Sequence, residues 1–167
     1  NQTGSMACNG CSHSPLHVTV LTSSYPRYRE DFAGLFIQQL LYKLLYKSSQ
    51  ERPIRIRVIA PDSASPVAKT SGAVIGDKNA ELPVTRFRYF LPVGLQVLAY
   101  GSGIPENLQR NPLVWFQVPF FLASFLSTAL RIARGSDVIW SHWLLPGGLI
   151  GALCKWLTGI PHVLTVH

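Results

Sequence analysis

Acidic residues and cysteines are what this chain has least of. Eight Asp and Glu stand against fifteen Lys and Arg, a formal charge of +7 at pH 7. That surplus favours anionic partners such as phosphate groups or an anionic membrane surface. The basic residues form no run: Arg27/Arg29, Arg52/Arg55/Arg57, Arg86/Arg88 and Arg131/Arg134 are scattered pairs, which argues against a nucleic-acid partner. Charge of either sign is low, at 14%, beside 47% hydrophobic residues, a balance that excludes a disordered chain. Three cysteines are too few for a disulfide framework. Cys154 lies in an apolar stretch and reads as a small hydrophobe. Cys8 and Cys11 form C-x-x-C, but Ser12 stands where c-type haem attachment needs histidine. A zinc site would need more ligands than the nearby His13 and His17. No metal is expected, and residues 1–15 read as a flexible tail.

Several signatures are also missing. No basic-then-apolar leader opens the chain, so no signal peptide is read and a cytoplasmic location is expected. The first βα turn lacks G-x-G-x-x-G and no G-x-x-x-x-G-K-[ST] occurs, which disfavours the usual dinucleotide fold and excludes a P-loop NTPase. H-E-x-x-H and G-x-S-x-G are absent as well.

What is present is an alternation of short apolar strands and helices. Residues 17–23 are a β-branched run bounded by Pro15 and Pro26 and predict a first strand. A helix follows from Asp31, a plausible N-cap, with Phe32, Phe36, Leu40, Leu41, Leu44 and Leu45 on one apolar face. Residues 54–60 predict a second strand, at an edge or half exposed because Arg55 and Arg57 alternate with apolar neighbours. Residues 63–83 form a long polar excursion, 84–89 a third strand, and 92–109 broken helix and turn. Residues 112–130 carry no charge. They approach the length of a membrane span, but Pro119, Gln117 and the hydroxyl residues favour a buried helix or monotopic surface contact. Residues 137–167 then read strand, helix, strand in about thirty residues, the length of a βαβ unit. His142 and His167 fall just past the carboxyl ends of its two strands, where open parallel sheets bind ligands. The whole pattern predicts an α/β, Rossmann-like parallel sheet flanked by helices over residues 16–167.

Three stretches together resemble one family. They are V-L-T-S-S-Y-P-R-Y-R-E-D-F-A-G-L-F-I, I-R-V-I-A-P, and D-V-I-W-S-H-W-L-L-P-G-G followed by P-H-V-L-T-V-H. Their order and spacing resemble the N-terminal, acceptor-side half of a family-4 GT-B glycosyltransferase, a retaining group that uses nucleotide sugars. The resemblance implies that His142 is the histidine at the sugar-transfer site and that His167 opens the next active-site loop. It implies that Gly34 lets a helix N-terminus approach a phosphate or sugar. Tyr25 and Arg27 fall in the matching loop as candidate substrate-binding residues. It further implies a sugar or lipid-linked acceptor, a nucleotide-sugar donor as co-substrate with no other cofactor, and a C-terminal donor domain beyond His167, without which the piece is inactive. Trp140 departs from the pattern, standing where the family often has a first histidine. Two other readings belong to different classes: a non-catalytic peripheral-membrane module resting on residues 112–130 and the +7 charge, and half of another GT-B enzyme such as a sugar epimerase.

Overall fold

The computed structural model describes residues 14–27, 31–48, 53–62 and 82–167. The Cys8/Cys11 pair, His13, Arg29, Arg52 and nearly all of the 63–83 excursion lie outside the described residues.

Five strands form one parallel sheet: β1 (Leu16–Leu21), β2 (Ile54–Pro61), β3 (Val84–Phe87), β4 (Val138–His142) and β5 (His162–Thr165), in the order β3-β2-β1-β4-β5. Strand residues alternate between two cores because successive side chains point to opposite faces. Val18, Val20, Ile56 and Val58 meet α1 (Leu35–Ser48) through Ile37 and Leu41. Leu21, Ile59, Phe87 and Ile139 meet α3 (Gln117–Ala133) and α4 (Leu149–Thr158) through Phe121, Phe125, Ile150 and Cys154. Full burial of a side chain such as Phe125 contributes about 1.5–3 kcal/mol, so this second core anchors α3 to the sheet. Phe87, Phe121 and Phe125 pack ring to ring there, with Phe87 stacked on Phe125 at 4.7 Å. The fold is thus α/β and Rossmann-like, with helices on both faces.

Two expectations are corrected. First, α1 begins at Leu35, one turn later than Asp31. Asp31 instead makes a local turn, its Oδ1 accepting from the Ala33 amide, and Phe32 is 84% exposed with Phe36 and Leu40 also outside the core. The buried face is Ile37 and Leu41, with Leu44 and Leu45 partly covered. Second, β2 lies inside the sheet, between β1 and β3. The half-exposed alternative holds at its start, where Arg55 and Arg57 are exposed and alternate with buried Ile56 and Val58. Pro119 sits in the first turn of α3, where its missing N–H costs nothing.

The broken region resolves into two 3-10 turns, Val93–Leu95 and Pro112–Phe116, around a short helix α2 (Ile104–Arg110). The Asn111 side chain accepts from the Leu113 amide and starts the second turn. Among the described residues, Pro112–Ala133 is one helix long and apolar enough to cross a membrane, and a third of its most apolar window is buried. Its inner face belongs to the sheet core. At the other end of the chain, Gly159 closes α4 in the left-handed conformation (φ 75°), donating to Lys155 O. This is the expected glycine stop.

Candidate functional site

Strand order 3-2-1-4-5 places the reversal of winding between β1 and β4. Chains leaving those two strands diverge to opposite faces and open a crevice at their carboxyl ends. Both histidines expected at a site arrive there. The β4 and β5 ladder pairs His142 with Thr165, which puts His167 two residues further along the same edge.

The two imidazoles stack at 5.3 Å with 9° between planes, and His142 Nδ1 and His167 Nε2 share a hydrogen bond of 3.0 Å. Their surroundings differ. His142 is 0% exposed, against the Trp140 ring at 4.7 Å, while His167 is exposed. Burial, and then the neighbouring His167, push the His142 pKa down to about 4, because a cationic ring loses hydration there. His142 is therefore neutral at pH 7, and its Nε2 is buried with no hydrogen-bond partner among the described residues. His142, the expected catalytic residue, stands behind His167 rather than open to solvent.

A wall of aromatic rings surrounds the pair. Phe36 meets His167 edge-on at 4.8 Å and Trp143 at 5.9 Å, and Trp143 meets His167 at 5.2 Å. Trp143 has φ 71°, a backbone region that non-glycine residues enter at a cost and that gathers at functional sites. It is held there because its amide donates to Thr165 O and its carbonyl accepts from the Gly148 amide. The turn can close because residue 147 is glycine: a Cβ there would lie 2.5 Å from His142 O. The Trp140 indole N–H donates to Thr165 Oγ1 and ties β4 to β5 below the histidines.

Gly34, Tyr25 and Arg27 converge beside the crevice in ways the sequence did not specify. Gly34 has φ 73°, and a Cβ would lie 2.3 Å from Ser24 O; the glycine lets the start of α1 press on the β1–α1 loop. The Tyr25 side chain is 2% exposed within the α1 core, so it supports this loop from beneath. Arg27 is neither solvated nor open. Its Nε donates to Asp31 Oδ2 at 2.6 Å, and its guanidinium lies 4.1 Å over the Tyr100 ring. Burial alone would raise the Asp31 pKa, but hydrogen bonds from Arg27 and the Ala33 amide hold it below the usual carboxylate range. Arg86 completes the frame, donating to Tyr25 O, Pro61 O and the Tyr100 hydroxyl.

Sequence reading missed Phe36 as a wall of the site, since helical periodicity placed it in the core. It also missed His162. That imidazole shares a 2.6 Å hydrogen bond with buried Ser141 on the opposite face of the sheet, and a Cβ on Gly151 would lie 2.2 Å from its Nε2. No group of three or more His, Cys, Asp or Glu that could hold a metal occurs among the described residues.

The architecture is that of a Rossmann-like α/β domain with a crevice at the strand ends. No protein-family model matches the chain. It is similar to an uncharacterized glycosyltransferase of Methanocaldococcus jannaschii, with 35% identity over 85 residues, 45% of this chain and 24% of that protein. The chain therefore spans about a quarter of that protein's length, and the match supports a glycosyltransferase relationship.

Proposed function

We propose that the chain is the acceptor-side domain of a retaining, nucleotide-sugar-dependent GT-B glycosyltransferase of the family-4 type. The observation that carries this reading is the stacked His142–His167 pair at the crevice between β1 and β4. The similarity to a glycosyltransferase supports the same reading. Glycosyl transfer passes through an oxocarbenium-like state, as glycoside hydrolysis does, while a nucleotide diphosphate leaves. Such a step needs polar groups that orient the sugar and its acceptor. His167 is the imidazole placed to meet a sugar hydroxyl, and its Nδ1 remains after Nε2 is spent on His142. Neutral His142 acts as a positioning residue: its hydrogen bond sets which nitrogen of His167 carries the proton. Gly34 keeps the start of α1 against the crevice, and the pinned Arg27 holds the loop between them. The donor nucleotide sugar would sit on a second domain facing this crevice, and the chain by itself would not transfer sugar.

The test uses a protein in which this chain is continuous with its donor domain, assayed for nucleotide-sugar turnover. His167→Ala is expected to lower kcat/KM by about 100-fold, the scale of one positioned polar group. His142→Gln, which keeps a hydrogen-bonding group, is expected to lower it less. Absence of turnover with every common nucleotide sugar would overturn the reading.

A further inference from the structure

The outer face of α3 and the turns before it form a surface that the sugar site does not use. Leu91, Leu95, Leu113, Trp115, Phe116 and Phe120 are all exposed, Phe116 by 72%. They form one patch. Phe90 packs edge-on against Phe120 at 5.8 Å, Gln117 Nε2 donates to Leu95 O, and Leu113 begins the turn that runs into Phe116. Monomeric proteins seldom expose so many large apolar side chains together without a partner.

The same stripe changes character along the helix. Phe120, Ser124, Ser127 and Arg131 follow at helical spacing on one face, and the last three line a shallow cavity of about 490 Å³ with Thr85, Arg86, Arg88 and Asp62, whose carboxylate lies 3.1 Å from Arg88 Nε. Ser124 Oγ donates to Arg88 O, which fixes Arg88 beside the helix one turn from Phe120, about 6 Å along the axis. The headgroup layer of a bilayer leaflet is about 5–8 Å thick. An apolar end that reaches the acyl boundary would therefore set Arg88 at the depth of the lipid phosphates.

Charge favours the same partner. The four described carboxylates are each engaged: Asp31 with Arg27, Asp62 with Arg88, Glu106 with Arg110, and Asp137 with the His17 amide. Arg131 pairs with no carboxylate among the described residues, and the whole chain carries +7. Aromatic side chains beside arginines are the composition of a membrane-water interface.

We infer that this face docks on an anionic lipid bilayer, with Leu113, Trp115, Phe116 and Phe120 entering the interface and Arg88 meeting lipid phosphates. Docking would also orient the crevice. α3 ends at Ala133, just before β4 starts at Val138, so its first turn lies at the edge where strands end, the edge that holds His142 and His167. The segment carrying Leu91 and Leu95 is tied to the crevice loop through Tyr100 under Arg27. The crevice therefore opens at the membrane end of the molecule. This inference stands on the patch and cavity and does not require glycosyl transfer.

The test is co-sedimentation of the 167-residue chain with phosphatidylcholine vesicles, with and without about 30% phosphatidylglycerol, the anionic leaflet charge being the attractive term. Binding is expected only with the anionic lipid. Phe116→Ser/Phe120→Ser and Arg88→Gln should each weaken partitioning at least about tenfold while far-ultraviolet circular dichroism is unchanged, because these side chains are exposed. Trp156→Ser, at the exposed outer face of α4, should bind as the parent does. Equal binding by all variants, or no binding to anionic vesicles, would overturn the inference. So would a dimer of the parent chain that Phe116→Ser/Phe120→Ser dissolves, since the patch would then serve a second copy.

Discussion

Burial strips water from His142, and the consequence can be measured as a pH dependence of stability. Its folded pKa is about 4, below the ordinary 6.5, owing to burial first and His167 second. As pH falls through about 6.5 the unfolded chain takes up a proton at this position, whereas the folded chain does so only near 4. The stability linked to neutral His142 is complete above pH 6.5 and is lost across the window from 6.5 to 4. His162, also lowered by burial and by Lys155, acts in the same direction. Urea unfolding at pH 7 and pH 5 should show the parent losing more stability on acidification than His142→Gln; identical losses would mean the ring is not desolvated. A second residue-scale prediction concerns Gly151. Alanine there would press on the His162 ring and should cost about 1–3 kcal/mol as overpacking. In a His162→Ala background the same change should cost under about 0.5 kcal/mol, because the obstacle has gone. His142 and His167 were legible in the sequence because both fall at strand ends. His162 was not, because its partners are Ser141 across the ladder and Gly151 in the helix between, and only the register brings them together.

Elements were easier to find than to orient. The alternation of apolar strands with helices, and the glycine and proline that end α4, make the Rossmann-like fold legible in the chain itself. The facing of α1 did not follow, because Phe36 and Leu40 stand beside Ile37 and Leu41 and widen the apolar face, although Gln38, Gln39, Lys43 and Lys47 mark an outer side. Several stripes fit a 3.6 period equally well, and the late start of α1 after Gly34 decided among them. Leu41→Ala and Ile37→Ala, both 0% exposed, should each cost about 2–5 kcal/mol in chemical unfolding. Leu40→Ala and Phe36→Ala should each cost under about 1 kcal/mol, although Phe36→Ala also removes one wall of the imidazole pair. Comparable losses at all four positions would restore the broader apolar face that periodicity alone predicts.

At the scale of the whole molecule the two edges of the sheet are unlike, and this predicts how the chain behaves at high concentration. An edge strand presents unpaired backbone groups that can recruit another chain. Among the described residues β3 forms one edge, and Arg88 stands exposed just beyond it; charge of this kind guards an edge. Among the described residues β5 forms the other edge, where Val163, Leu164 and Val166 are exposed. Trp156 and Leu157 of the neighbouring α4 extend the same apolar surface. Backbone pairing and apolar contact would therefore reinforce one another at β5 and not at β3. The chain should associate as its concentration rises, through this edge. Val163→Lys should keep it monomeric in sedimentation velocity, since a lysine on an edge opposes strand addition. A matching lysine at Thr85 on β3 should leave association unchanged. If Thr85→Lys dissolved the assembly and Val163→Lys did not, the guarded edge would be the adhesive one, and the contrast between the two sides of the sheet would have no physical force.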